Sequence, residues 1–211
     1  MDRSLTRTFS VPTDAVRAGN FAGLGAICDP LTIPTTGSCT PFAGNQIPAS
    51  RIDPIATAFL ANVPRATSSG AQVQNLTSVE ELNRDADQAS VRLDHRLSNN
   101  DQLFFRFSTF DADELQPFGT SSLQETLVPG FGRSLTTKTR NISTSHTRVF
   151  GTSLLNEFRF GWMTVKGGQT SLNQGVDFAG SVGLLGVTSD PRGVGYPQIT
   201  TRGLYSTMGD P

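Results

Sequence analysis

The sequence has few of the residues on which catalytic and metal-binding sites usually depend. It contains two cysteines, two histidines and two lysines among 211 residues, and its formal net charge is −1. A net charge this close to zero argues against nucleic acid or an anionic membrane surface as an electrostatic partner. The longest mostly apolar stretch, residues 54–63, is about half of the roughly twenty residues that a membrane-spanning helix needs.

Small and turn-forming residues dominate what is present. Ser, Thr, Gly, Pro and Asn together account for 88 residues, and phenylalanine supplies 14 of the 17 aromatic side chains. Because these small residues are weak helix formers, the composition favours strands and long turns. The chain opens and closes abruptly within such patterns, so we expect it to be a piece of a longer protein.

Residues 87–110 predict a β-hairpin with one apolar and one polar face. Apolar residues alternate with polar ones on both sides of a turn at 99–101, which is the two-residue period of a strand. A three-residue turn places Leu93 opposite Phe107 and His95 opposite Phe105. The polar face is either the solvated side of a soluble sandwich or the lumen of a membrane barrel, where Arg92, Arg96 and Arg106 would face the solute path.

The order of loop lengths predicts the fold class. Two further strands, 135–150 and 154–165, flank a tight turn, and the second places Glu157 and Arg159 on the face opposite three aromatic residues. Long and short connections alternate along the chain, so a meander would collect all long loops at one end, as in outer-membrane barrels. We therefore predict an all-β antiparallel meander that forms part of a transmembrane β-barrel, with long loops carrying short helices.

The segment boundaries follow from the same patterns. Thr13 and Asp53 are candidate N-caps of two short helices. The predicted segments are the end of a barrel strand at 1–10, a long outer loop with short helices at 11–86, four wall strands in two hairpins at 87–165 with a loop at 111–134, and an outer loop region at 166–211.

The candidate site residues are few, and no catalytic constellation is recognisable. His95 and His146 lie in strand patterns, and His95, on the apolar face, indicates an interfacial or partly buried ring. The acidic cluster Asp111, Asp113 and Glu114 follows a strand and indicates a solvated loop or a cation site, although its spacing does not match a calcium loop. We expect no enzyme activity, no metal and no cofactor.

Two local patterns concern covalent modification. Cys28 and Cys39 lie in one Pro/Gly-rich loop and predict a disulfide if the protein is exported, the alternative being two free thiols. Asn75 and Asn141 match the short glycosylation acceptor pattern, which also arises by chance.

Several motifs together resemble TonB-dependent outer-membrane receptors of the Oar-like group. They are Arg17-Ala-Gly-Asn-Phe-Ala-Gly23, Asp29-Pro30, Pro41-Phe-Ala-Gly-Asn-Gln-Ile-Pro-Ala-Ser-Arg-Ile52, Val91-Arg-Leu-Asp-His-Arg-Leu-Ser98, Asp101-Gln-Leu-Phe-Phe-Arg-Phe107 and Leu155-Asn-Glu-Phe-Arg-Phe-Gly161. The resemblance implies a bacterial outer-membrane receptor that takes up a solute. Its partners would be outer-membrane lipid, an unidentified solute and, through a plug region absent from this chain, the TonB energy-coupling complex.

The resemblance also implies that the plug and most of the barrel lie outside these residues. The alternative to an outer-membrane receptor is a soluble extracellular β-sandwich that serves as a binding or adhesion module. That alternative uses the same alternating strands but requires their apolar face to be buried.

Overall fold

The computed structural model describes residues 2–33, 39–68, 70–118, 127–201 and 203–211. Five strands form one sheet in the order β1-β2-β3-β4-β5, so every strand neighbours the next one in the chain. The fold is the predicted all-β meander with short helices in its long connections. The strands are β1 Asp2–Phe9, β2 Leu76–Arg96, β3 Asp101–Gln116, β4 Arg133–Phe150 and β5 Leu154–Ser171.

The strands run further than the alternating sequence pattern predicts. β2 begins at Leu76 rather than near residue 87, β3 continues to Gln116, and β5 continues to Ser171. The reason is that a backbone ladder needs no alternation of side chains, and β2 and β3 remain paired as far as Asn83 and Leu115. The connections between long strands are correspondingly shorter than predicted, and part of the one after β3 lies outside the described residues.

The predicted register of the β2–β3 hairpin is wrong by two residues. The structure pairs Leu93 with Phe105, not with Phe107. The cause is a turn centred one residue earlier than predicted: the Leu97 N–H donates to the Asp101 carbonyl at 3.0 Å, and the Ser98 hydroxyl donates to the Asp101 carboxylate at 2.8 Å. Because the shift is an even number of residues, every side chain stays on its predicted face.

Both predicted helices are present, with the predicted caps. The Thr13 hydroxyl accepts from the Val16 N–H at the start of α1, Asp14–Arg17, and the Asp53 carboxylate accepts from the Ile55 N–H at the start of α2, Pro54–Ala61. A third helix, α3, covers Phe178–Val182. Single 3₁₀ turns lie at Pro30–Thr32, Ala43–Asn45 and Ala49–Arg51. Among the described residues, no helix combines the length and apolar character needed to span a membrane.

The chain divides into two compact units. The sheet unit contains Leu82–Gln116 and Ser134–Thr170 together with the first residues of the chain. The loop unit contains Ser4–Glu81, Pro117–Arg133 and Ser171–Pro211. Residues distant in sequence therefore fold together in the loop unit.

The loop unit has a hydrophobic core, which the local sequence pattern does not predict. The buried cluster is rich in aromatic side chains: Phe9 packs on Phe118 with ring centroids 5.1 Å apart, and Phe59 contacts Phe178 edge-on at 5.8 Å. The long segments that the sequence predicts as mostly loop thus include the packed core of the loop unit. The buried members of the core are Phe9, Val11, Phe59, Val63, Leu76, Phe118, Val128, Phe131, Phe178 and Met208.

The sheet unit has the opposite character. Every buried hydrophobic side chain among the described residues belongs to the loop unit, whereas the apolar side chains of the sheet unit are exposed or partly exposed. Exposed apolar surface of this extent marks an interaction site for a membrane or another molecule.

Candidate functional site

One face of the sheet unit is apolar on β2 and β3 and is exposed or partly exposed. On β2 and β3, the directly opposed pairs Val91–Phe107 and Leu93–Phe105 lie on this face, and Leu93 is 60% exposed. The pairs follow from strict alternation, which puts every second side chain on the same side of a strand. A soluble sandwich would bury such a face against a second sheet, but the described strands leave it uncovered.

The same character recurs on β5. Phe158, Phe160 and Trp162 occupy every second position of the strand and are 60%, 51% and 48% exposed. Three large exposed aromatic side chains in one row are unfavourable in water, at roughly 25 cal/mol for each Å² of apolar surface left exposed. They are favourable against hydrocarbon, and a Trp near the end of such a row is typical of a membrane interface.

The opposite face of the sheet unit carries a layer of ion pairs. Arg92 donates to Asp94 through Nε at 2.7 Å and through a terminal nitrogen at 3.0 Å, a bidentate pair between residues two apart on one strand. The Arg92 guanidinium also lies over the Phe104 ring, 4.8 Å from its centroid. The pair holds the arginine flat against the sheet, because both contacts require the same planar orientation.

A second pair of the same kind lies on β5. Arg159 donates to Glu157 through Nε at 2.8 Å and through a terminal nitrogen at 2.9 Å. Together the two pairs line a shallow groove of about 580 Å³ across the polar face. Its lining residues are Arg92, Asp94, Gln102, Phe104, Ser143, Thr144, Ser145, Thr147, Glu157, Arg159, Phe160 and Gly161.

The groove is suited to hydrogen bonding rather than to capturing an ion. Its charged side chains are two arginines and two carboxylates, and each arginine is already paired with a carboxylate. The remaining polar lining comes from hydroxyl and amide groups. A surface of this composition provides donors and acceptors without a strong net field, as expected of a water-filled barrel wall.

The structure distributes the other lumen candidates along the same face. Arg106 donates to the Ser90 hydroxyl at 3.2 Å, and Arg96 is exposed beside the turn, where it pairs across the ladder with Gln102. Neither lines the groove. Four of the five charged candidates therefore have a partner on their own or the adjacent strand, and only Arg92, Glu157 and Arg159 come together in the groove.

The two histidines lie on the apolar side of the sheet. His95 is opposite Leu103, not Phe105, as a consequence of the two-residue register shift. His146 Nε2 is 3.2 Å from an Asp101 carboxylate oxygen, which is also 3.6 Å from Arg148 Nε. Neither histidine belongs to a group of three or more potential metal ligands among the described residues.

The acidic residues Asp111, Asp113 and Glu114 are part of β3 and do not lie in a loop. Asp111 and Arg140 form an ion pair between β3 and β4, and Glu114 lies 3.7 Å from Arg84 Nε. Asp113 pairs across the ladder with Asp85. Glu114 projects to the face of β3 opposite to Asp111 and Asp113, and the described residues include no group of three or more side chains that could hold a metal ion.

Cys28 and Cys39 are joined in the structure, with Cα atoms 5.6 Å apart. That separation is ordinary for a disulfide. The redox state of the mature protein stays a prediction, which a thiol measurement tests.

Asn75 is a structural residue that sequence reasoning assigned only to a glycosylation pattern. Its side chain is completely buried, with Oδ1 accepting from the Val11 N–H at 2.9 Å and Nδ2 donating to the Val11 carbonyl at 2.8 Å. In the folded chain the amide nitrogen is buried and hydrogen-bonded, so Asn75 has a packing role. The burial of an asparagine at this point has no local sequence signal, since its partner is 64 residues away.

The residues behind the family resemblance hold the loop unit together. Arg17 donates to the Pro12 carbonyl at 3.0 Å, to the Leu60 carbonyl, and to the Val63 and Pro64 carbonyls at 3.1 and 2.7 Å. It thus binds carbonyls in the last turn of α2 and in the residues just beyond the helix. Partial burial, together with the nearby Arg65 charge, lowers the pKa of the Arg17 guanidinium.

An exposed ion pair joins two other motif residues. Arg51 donates to both carboxylate oxygens of Asp29, at 3.1 and 2.7 Å. These hydrogen bonds, followed by one from the Leu31 N–H, lower the pKa of Asp29, and the same pair raises the pKa of Arg51. The guanidinium also lies 5.5 Å from the centre of the Phe42 ring.

The exposed apolar face, the polar opposite face and the meander topology define the wall of a membrane-spanning β-barrel. A family model described as an outer membrane beta barrel domain matches residues 2–211, and the chain therefore belongs to that family. Its location is the bacterial outer membrane. A comparison with curated proteins found no match, and a comparison with solved structures found none either.

Proposed function

We propose that the chain is part of a TonB-dependent outer-membrane receptor that takes up a solute across the outer membrane. The observation that carries the proposal is that two of the motifs behind the resemblance, 17–23 and 41–52, are hydrogen-bonded to each other. Asn45 Nδ2 donates to the Phe21 carbonyl at 2.6 Å, and the Ile47 N–H donates to the Gly19 carbonyl at 2.9 Å. The motifs 17–23 and 41–52 thus form one substructure, which supports a shared structural reason for their joint occurrence.

Close backbone approach explains one glycine of this substructure. Gly19 has a φ of +80°, and a Cβ atom there would lie 2.8 Å from the Ile47 carbonyl oxygen. Only glycine satisfies both the left-handed backbone and the contact. The resemblance therefore rests on residues with physical roles in this structure.

The folded loop unit supports a receptor in preference to a simple diffusion pore. A receptor needs a preorganised surface, because a binding surface that is ordered in advance loses less entropy when it binds. The loop unit has such order in its aromatic core, whereas loops of a pore need only leave the channel open. The proposed partners are outer-membrane lipid, an unidentified solute and the TonB complex acting through a plug region, with no nucleic acid, no resident cofactor and no enzyme activity.

The test uses the full-length protein purified from outer membranes. We expect it to bind the periplasmic domain of TonB in a detergent pull-down, and its complete reading frame to encode a plug. A general diffusion porin from the same membranes is the negative control. Recovery of the protein without TonB binding, from a frame that encodes no plug, would refute the receptor assignment while leaving the barrel family intact.

A further inference from the structure

The charged residues on the apolar face are confined to its two ends. At the turn end, Asp101 lies near both His146 and Arg148, at 3.2 and 3.6 Å. At the other end, Asp111 is paired with Arg140. Asp101 and Asp111 project from the same side of β3 as Phe105, because even numbers of residues separate the three. Their partners on β4, which are also separated from one another by even numbers of residues, therefore lie on that side of the sheet as well.

The sheet is too polar for hydrocarbon at its Asp111 end. Asp87 lies directly opposite Asp111, and Asp85 lies directly opposite Asp113, so four carboxylates occupy two adjacent rows. Placing charged side chains on the lipid face of a barrel is unfavourable at the membrane midplane and approaches neutrality only near the interfaces. These two rows must therefore lie at or beyond the boundary of the hydrocarbon layer.

The distance between the two ends fits one bilayer. Asp101 and Asp111 are ten residues apart on β3, and a strand rises about 3.3 Å per residue, which gives about 33 Å along the strand. With a strand tilt of about 40°, the span across the membrane is about 25 Å, the height of the apolar band of outer-membrane barrels. Between them on this face of β3 lie Leu103, Phe105, Phe107 and Thr109, and across the ladder His95 lies opposite Leu103, in the row next to the Asp101 end.

We infer that the hydrocarbon layer of the outer membrane covers the sheet only between the Asp101 row and the Asp111 row. The parts of β2 and β3 from Leu82 to Ala86 and from Ala112 to Gln116 then stand clear of the membrane as an aqueous extension of the paired sheet. The inference depends on the barrel family and not on the proposed receptor function. Lipid chains then contact the Phe107 side of the sheet between the two rows, and water contacts both sides of the sheet beyond Asp111.

Site-directed spin labelling of the full-length protein in native outer-membrane vesicles tests both boundaries. Phe107→Cys and Ser108→Cys form a matched pair, because the two residues are adjacent on β3 and project to opposite faces. Oxygen accumulates in hydrocarbon, and a nickel chelate is restricted to water. We expect oxygen accessibility to be severalfold higher at position 107 than at 108, and the nickel chelate to show the reverse.

Asp113→Cys then locates the upper boundary. We expect the nickel chelate to reach this label severalfold more than the label at 107, although both residues project to the same side. Similar oxygen accessibility at 107 and 113 would overturn the boundary, and similar values at 107 and 108 would overturn the lipid-facing assignment. If Phe107→Cys does not insert, Leu93→Cys and Asp94→Cys repeat the comparison on β2, and the unsubstituted protein reports any background labelling of Cys28 and Cys39.

Discussion

Replacing Asn75 with alanine removes both hydrogen bonds that satisfy the buried backbone of Val11. Val11 and Asn75 are each 0% exposed, so water cannot replace the lost partners without opening the loop unit. Each buried donor or acceptor left without a partner costs about 1–3 kcal/mol, and the loss of two places the total near 3 kcal/mol. Because a tenfold change in an equilibrium corresponds to about 1.4 kcal/mol, the open population of the loop unit should rise about a hundredfold.

Native-state proteolysis measures that population. Phe59 is 3% exposed in α2, so chymotrypsin can cut after it only when the loop unit opens. When opening and closing are fast relative to cleavage, the cleavage rate follows the open population. We therefore expect cleavage after Phe59 to be about a hundredfold faster in Asn75→Ala than in the wild type, quantified by mass spectrometry in outer-membrane vesicles.

Asn20→Ala is the matched control for this measurement. Asn20 is exposed, and its side chain accepts one hydrogen bond, from the Ala22 N–H at 3.0 Å. A surface substitution of this kind usually changes stability by less than about 0.5 kcal/mol, equivalent to about twofold in rate. If Asn75→Ala accelerates cleavage no more than Asn20→Ala does, the buried Asn75 clamp does not stabilise the loop unit.

Three further predictions address the membrane face, the cysteines and acid stability. Leu93→Arg should destabilise the folded protein in vesicles by about 2–4 kcal/mol in urea unfolding, whereas Gln88→Arg, at an exposed position of the polar face opposite Phe110, should change it little; equal effects would contradict the face assignment. Non-reduced protein should show no alkylatable thiol by mass, and two modified cysteines would refute the Cys28–Cys39 bridge. The pKa of Asp29 is lowered in the folded state, so its ion pair should stabilise the loop unit at pH values above the pKa of Asp29 in the unfolded chain, near 4. This contribution should be lost as the pH falls through the pKa of Asp29 in the folded state. Asp29→Asn should abolish this part of the acid sensitivity of proteolysis, and an unchanged pH profile would contradict the prediction.

The sheet unit was largely predictable because its physical constraint is local. A strand with lipid on one side and water on the other must alternate, so Val91, Leu93 and Phe105 can be assigned to one face from their spacing alone. The register could not be predicted equally well. It depends on the hydrogen bonds between Ser98 and Asp101 in the turn, which alternation does not report.

The loop unit was not predictable from local patterns. Phe9, Phe59 and Phe178 meet in one core although up to 169 residues separate them, and none lies in a periodic segment of useful length. The same limit applies to Arg17, whose motif was recognisable although its four carbonyl partners were not. Long-range packing of this kind leaves no period in the sequence.

The groove was predictable only as a set of lumen-facing candidates. Alternation placed Arg92 and Arg159 on the polar faces of separate strands, and only the sheet order brings them to one surface. Their bidentate pairing with Asp94 and Glu157 follows from spacing, because residues two apart on a strand share a face.

Protease shaving of intact cells tests the central claim, that the hairpin crosses the outer membrane, together with the prediction that residues 166–211 form an outer loop region. Trypsin should cut after Arg192, whose side chain is 88% exposed, and should leave the bonds after Arg92 and Arg106 intact. Cells opened before digestion provide the control for periplasmic access. Cleavage at Arg192 with a protected hairpin is the predicted result, and cleavage within residues 89–109 in intact cells, or protection of Arg192 until the cells are opened, would contradict it.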